Sequence, residues 1–102
     1  MYLIQLLLPL HDNKKEKFPE EYFTSIRKHL TDQFGGVTAF LRSPALGLWK
    51  ENSHGVGRDE VVMFEVITAK LDEPWWADYR KLLEDKFRQE EVLIWASQVT
   101  KL

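Results

Sequence analysis

The chain opens on an apolar run, Tyr2-Leu-Ile-Gln-Leu-Leu-Leu-Pro9, which stops where proline removes a backbone donor. This predicts a first strand over 2–9. Residues 10–17, Leu-His-Asp-Asn-Lys-Lys-Glu-Lys, read as a charged, solvated loop. From Pro19 to Phe34 the period changes. Tyr22, Phe23, Ile26, Leu30 and Phe34 fall within an arc of about 120° at 100° per residue, the mark of an amphipathic helix. Pro19 suits a first helical turn, where its missing N–H would be unpaired anyway. Glu20 and Glu21 complement the positive end of the helix dipole. Gly35-Gly36 closes the helix, because glycine adopts the left-handed C-terminal conformation without steric cost.

Period-two patterning returns over Val37–Arg42, broken at Ser43-Pro44, and Gly47-Leu-Trp-Lys50 reads as its continuation past a bulge. Asn52–Gly57 is a glycine-rich turn. The third and longest strand is expected over Glu60–Ala69. A second helix follows from Glu73 to Gln89, with Asp72 as N-cap and Trp75, Trp76, Tyr79, Leu82, Leu83 and Phe87 along one stripe. The fourth strand is Val92–Val99. The order β-α-β-β-α-β, built from two right-handed split β-α-β units, predicts an α+β, ferredoxin-like sandwich. Its antiparallel sheet would run 4-1-3-2 with both helices on one face, as one domain spanning 1–102.

Alternation then divides the sheet residues between two faces. Tyr2, Ile4, Leu6, Leu8, Val37, Ala39, Leu41, Val62, Phe64, Val66, Val92, Ile94 and Ala96 fall on the helix side. The opposite face carries Leu3, Gln5, Leu7, Thr38, Phe40, Arg42, Val61, Met63, Glu65, Ile67, Leu93 and Trp95. A solvated face is normally mostly polar. This one is mostly apolar with a few polar insertions, a pattern that marks an interface or a ligand surface. Self-association through this outer face, as a homodimer, is the preferred expectation.

In pattern, the whole length resembles the dimeric α+β barrel proteins, in which two ferredoxin-like subunits pack sheet against sheet. The segment Phe34-Gly-Gly-Val-Thr-Ala-Phe-Leu-Arg-Ser-Pro-Ala-Leu-Gly-Leu-Trp49 is similar to one recurring in functionally uncharacterised small bacterial proteins. The resemblance implies a dimeric domain that binds a small molecule or a protein partner through the outer face. It also leaves open a cofactor-independent monooxygenase or isomerase of the same superfamily. No catalytic motif of a named enzyme is matched, so the resemblance carries architecture and no catalytic residue.

Composition narrows the remaining classes. The 102 residues are 44% hydrophobic, with 4 Trp and 6 Phe, enough for a core without metal or disulfide. The net charge of −2 exerts no pull toward nucleic acid or anionic lipid. Acids precede the third strand, Arg58-Asp-Glu-Val-Val-Met-Phe-Glu-Val66, where an RNA-binding sheet would need basic residues. Zero cysteines exclude thiolate chemistry and cysteine metal sites and fit a cytoplasmic location. The apolar N-terminus lacks a basic n-region and is too short to span a bilayer, so neither a secretion signal nor a membrane segment is expected there.

Candidate chemistry sits on the outer face, at Gln5, Arg42, Glu65 and Trp95. Gln5, Arg42 and Glu65 belong to neighbouring strands. They either orient a polar, anionic or carbonyl-bearing ligand, or Arg42 and Glu65 form a cross-strand ion pair with Gln5 beside it. Trp95 is either a stacking platform or an interface anchor. Trp75 and Trp76 belong to the core stripe, and Trp49 is placed at a cleft entrance. His11, His29 and His54 are too scattered for a metal site, so no metal or cofactor is expected. His11-Asp12 retains one alternative, an imidazole beside a carboxylate that could act as a base.

Overall fold

A computed structural model of the chain describes residues 1–42 and 60–102, with 39–42 as backbone. The expected strand continuation over 47–50, the turn over 52–57, Trp49 and His54 lie outside the described residues. The elements are β1 (Tyr2–Pro9), α1 (Glu20–Phe34), β2 (Thr38–Arg42), β3 (Val61–Thr68), α2 (Glu73–Phe87) and β4 (Leu93–Gln98). The fold is α+β. All sheet pairings are antiparallel, in the spatial order β2-β3-β1-β4. Leu6 lies opposite Phe64 on one side and Ile94 on the other, so the even positions of β1 share a face with the even positions of its neighbours.

That even face carries the helices. Ile4, Leu6, Leu8, Phe64 and Val66 are buried with Ile26 and Leu30 of α1 and Trp76, Tyr79, Leu83 and Phe87 of α2. The helices meet through rings. Phe87 is the centre of one cluster, with Phe18, Tyr22 and Phe23 at centroid distances of 4.8, 5.4 and 5.5 Å. At the other end Phe34 stacks on Trp76 at 5.2 Å, and Trp75 meets both at near right angles. Such pairs contribute roughly 0.5–1.5 kcal/mol each beyond the area they bury. The buried indole N–H of Trp76 has no hydrogen-bond partner among the described residues, a cost that its ring packing offsets.

One expectation about the core needs correcting. Leu82 is 52% exposed, because Trp76, Tyr79, Leu83 and Phe87 already fill the inward stripe at three- and four-residue spacing. Leu82 lies about 100° around the helix from Leu83. Ala96 does fall on the helix side, opposite Ile4, but is exposed there: Val92 and Ile94 pack against the core, and the far half of edge strand β4 runs past it.

Local signals set the helix ends. Gly35 closes α1 at φ 88°, its N–H donating to Thr31 O at 2.7 Å. The Asp72 carboxylate accepts from Trp75 N–H at 3.1 Å and starts α2. Helix α2 stops at Phe87 rather than Gln89, because Arg88 turns left-handed at φ 53°. Arg88 N–H then donates to Asp85 O and Gln89 N–H to Glu84 O, the paired bonds of a Schellman motif. The Glu84 carboxylate accepts from Val92 N–H at 3.1 Å and so ties the end of α2 to the start of β4. The 10–17 segment is equally ordered: Asp12 accepts from the N–H groups of Lys14 and Glu16, and His11 bridges to Lys17.

Two outcomes test this account. Arg88→Gly relieves a side chain in the left-handed region and should raise stability by about 0.5 kcal/mol after the flexibility of glycine in the unfolded chain is subtracted; urea denaturation measures it, and a destabilised variant would refute the cap. Burial pushes the Tyr79 hydroxyl up to about 12 from its ordinary 10.0. The unfolded state therefore ionises first, and stability should fall as pH climbs from 10 toward 12. Tyr79→Phe should flatten that part of the pH–melting profile relative to wild type, and identical slopes would contradict it.

Candidate functional site

Among the described residues, both helices lie on the even side; on the odd side Met63, at the middle of β3, is 5% exposed, while the positions towards the sheet's other end are more open. Leu3, Leu7, Val61 and Leu93 are half-buried there by their strand neighbours. Ile67 is 56% and Trp95 46% exposed. Burying a side chain of this size contributes about 1.5–3 kcal/mol relative to leaving it in water. The face is thus apolar, shaped by two-residue alternation, and has surface left to bury.

A polar line crosses it. The register sets Trp95 opposite Gln5, Gln5 opposite Glu65 and Glu65 opposite Thr38, one row across all four strands. Trp95 Nε1–H donates to Gln5 Oε1 at 2.8 Å, and Gln5 Nε2 donates to Glu65 Oε2 at 2.8 Å. An indole N–H can only donate and a carboxylate can only accept, so the amide of Gln5 has one consistent orientation. Gln5 Nε2 also lies 3.6 Å from Met63 Sδ. The Trp95 ring is held by its tip, and the Glu65 carboxylate stands at the end of the line. Chemically the row can present a fixed aromatic plane and an anion that accepts hydrogen bonds.

Three of the four expected site residues therefore come together, and Arg42 does not join their row. Its backbone lies opposite Val61, whereas Glu65 lies opposite Thr38. The two rows are four residues apart along β3, about 13 Å at 3.3 Å per residue. The register therefore sets the Arg42 and Glu65 backbones in different rows, the Arg42 side chain lies outside the described residues, and Glu65 forms no ion pair among the described residues. The direct Trp95–Gln5 bond was not expected either. Alternation assigns a residue to a face but not to a row along the strand, so no signal within one strand could have shown it.

The other candidates take structural places. Asp12 uses Oδ1 to accept from Lys14 and Glu16, and chiefly the Glu16 N–H bond holds its carboxyl below the usual value. It orders its own loop. His29 is exposed, with its ring edge-on to Tyr79 at 5.0 Å. Among the described residues no three His, Cys, Asp or Glu side chains converge as a metal site, and no helix is long and apolar enough to cross a membrane. Compared with protein families, curated proteins and solved structures, the chain matches none.

Gln5→Leu tests the row. Overall stability should change by no more than about 1 kcal/mol, since the freed partners on this open face can return to water. The Trp95 indole N–H should exchange with solvent markedly faster, as read by NMR. Unchanged exchange would mean that Gln5 does not hold the ring.

Proposed function

We propose that the chain is a ferredoxin-like binding domain whose outer sheet face is an association surface, and that its partner is a second copy of itself. The observation that carries this reading is the apolar odd face, where Ile67 and Trp95 keep about half their surface in water while no described element covers them. A second sheet laid about 10 Å away would bury both residues together with Leu3, Leu7 and Leu93. The Trp95–Gln5–Glu65 row supports the same reading. It gives the surface one ordered polar feature amid apolar neighbours, the composition of a specific interface core rather than of a sticky patch.

Ile67 is the residue to change. It is exposed within the chain, so Ile67→Glu should leave folding intact and act on association alone. Met63 is 5% exposed, and a charge there would disturb the fold first. Sedimentation equilibrium at micromolar concentration should show wild-type dimers, with Ile67→Glu monomeric at the same concentration and an unchanged circular dichroism spectrum. A monomeric wild type, or a variant that dimerises as well as wild type, would overturn the proposal.

A further inference from the structure

We infer that strand β4 pairs edge to edge with the β4 of a second copy, antiparallel about a two-fold axis at Ala96, so that two four-stranded sheets become one continuous sheet. This contact lies on the rim of the sheet and does not depend on the face-to-face packing proposed above. Val99 N–H donates to Met1 O at 3.0 Å. Antiparallel bonding alternates, so Leu93, Trp95 and Ser97 direct their main-chain groups at β1. Ile94, Ala96 and Gln98 point theirs the other way, where no described strand pairs with them. Residues 95–98 are all exposed. Native proteins guard such an edge with lysine, proline, an inward charge or a bulge. The strand Leu93–Gln98 carries no charge and no proline, and its pairing with β1 runs without a break. Its largest side chain also stays clear of the edge, because the Trp95 ring leans toward β1 with its Nε1–H on Gln5.

The strand fits its own copy. In a two-fold contact a residue that meets another is met by it in turn, and outward groups must meet outward groups. Only the register centred on Ala96 pairs all three outward residues of β4: Ile94 with Gln98, Ala96 with Ala96, and Gln98 with Ile94 of the other chain. It forms about six main-chain hydrogen bonds. Trp95 then lies across from Ser97, whose small side chain leaves room for the ring. Beyond the strand ends the same register brings Glu91 level with Lys101 of the other chain, once on each side of the axis. Both residues are exposed, and neither forms an ion pair among the described residues. Moving the axis by one residue in either direction takes Glu91 away from Lys101. The occupant follows from this charge pattern, which an unrelated extended segment would have to match in reverse and a second copy matches by symmetry.

The Ile67→Glu variant, which removes the face contact, isolates the edge. A contact this small is weak and should be half-formed near about 0.1 mM rather than at micromolar concentration. At about 1 mM the variant should sediment as a dimer, and exchange of the Ile94, Ala96 and Gln98 amides should slow about fivefold relative to a dilute sample, as read by NMR. A monomer at that concentration, or a dimer whose slowed amides lie on other strands, would overturn the inference and leave the face proposal standing. Failure of the face proposal is read separately, from wild type at micromolar concentration, where the edge contact is not formed. If Ile67→Glu unfolds by circular dichroism, the same exchange measurement is made on wild type, whose face packing leaves these three amides open to water. Charge exchange then tests the register. In the Ile67→Glu background, Glu91→Lys and Lys101→Glu should each weaken the edge dimer about tenfold, because two exposed pairs turn repulsive together. Mixing the two variants in equal amounts should restore it, since both cross-chain pairs are again opposite in charge. A mixture that associates no better than either variant alone would overturn the register at Ala96.

Discussion

Strand β1 is hydrogen-bonded on both sides, to β3 along all of its length and to β4 over most of it. Every other feature depends on that double pairing. It places the even positions of three strands on one face and the odd positions on the other, with no freedom left to slip. A slip of one residue would send Ile4, Leu6 and Leu8 into water and Gln5 into the core. These three residues are at most 1% exposed, so the penalty for slipping is several buried side chains at once. The same register sets Trp95, Gln5 and Glu65 abreast.

On the even face the chain closes its core mainly with rings. Phe87 gathers the aromatic residues around the entry to α1, while Phe34 and Trp76 join the end of α1 to the start of α2. Large planar side chains span the gap between the two helices, edge to face around Phe87 and stacked between Phe34 and Trp76. The caps then hold these rings at the right ends. Asp72 and Gly35 stand beside one aromatic cluster and the left-handed Arg88 follows directly on Phe87, so helix termination and core packing reinforce each other.

The odd face shows the opposite balance. Its polar residues are too few to solvate it and too ordered to be incidental. Gln5 is satisfied on both ends of its amide, which removes the usual cost of a buried polar group. Glu65 is hydrogen-bonded to Gln5 and forms no ion pair among the described residues. An apolar surface containing one such carboxylate is tolerable in water and unfavourable under an uncharged cover, and that asymmetry makes the face selective about what can lie on it.

By itself the sequence determined the kinds and order of the elements, the inward stripes of the helices, the caps at Gly35 and Asp72, and the division of the strands into an inner and an outer set. All of these follow from local periodicity and local chemistry, which act over a few residues. It misjudged Leu82, whose burial depends on which neighbouring side chains already fill the inward stripe. It also missed the end of α2, because a left-handed arginine follows from the packing around Phe87 and not from residue preference. The rows of the outer face were decided only in the tertiary structure. Whether Gln5 meets Trp95, or Arg42 stands apart from Glu65, depends on the register between strands separated by up to 90 residues. That register is the joint result of every buried side chain on the opposite face, a sum over the whole core that no single segment encodes.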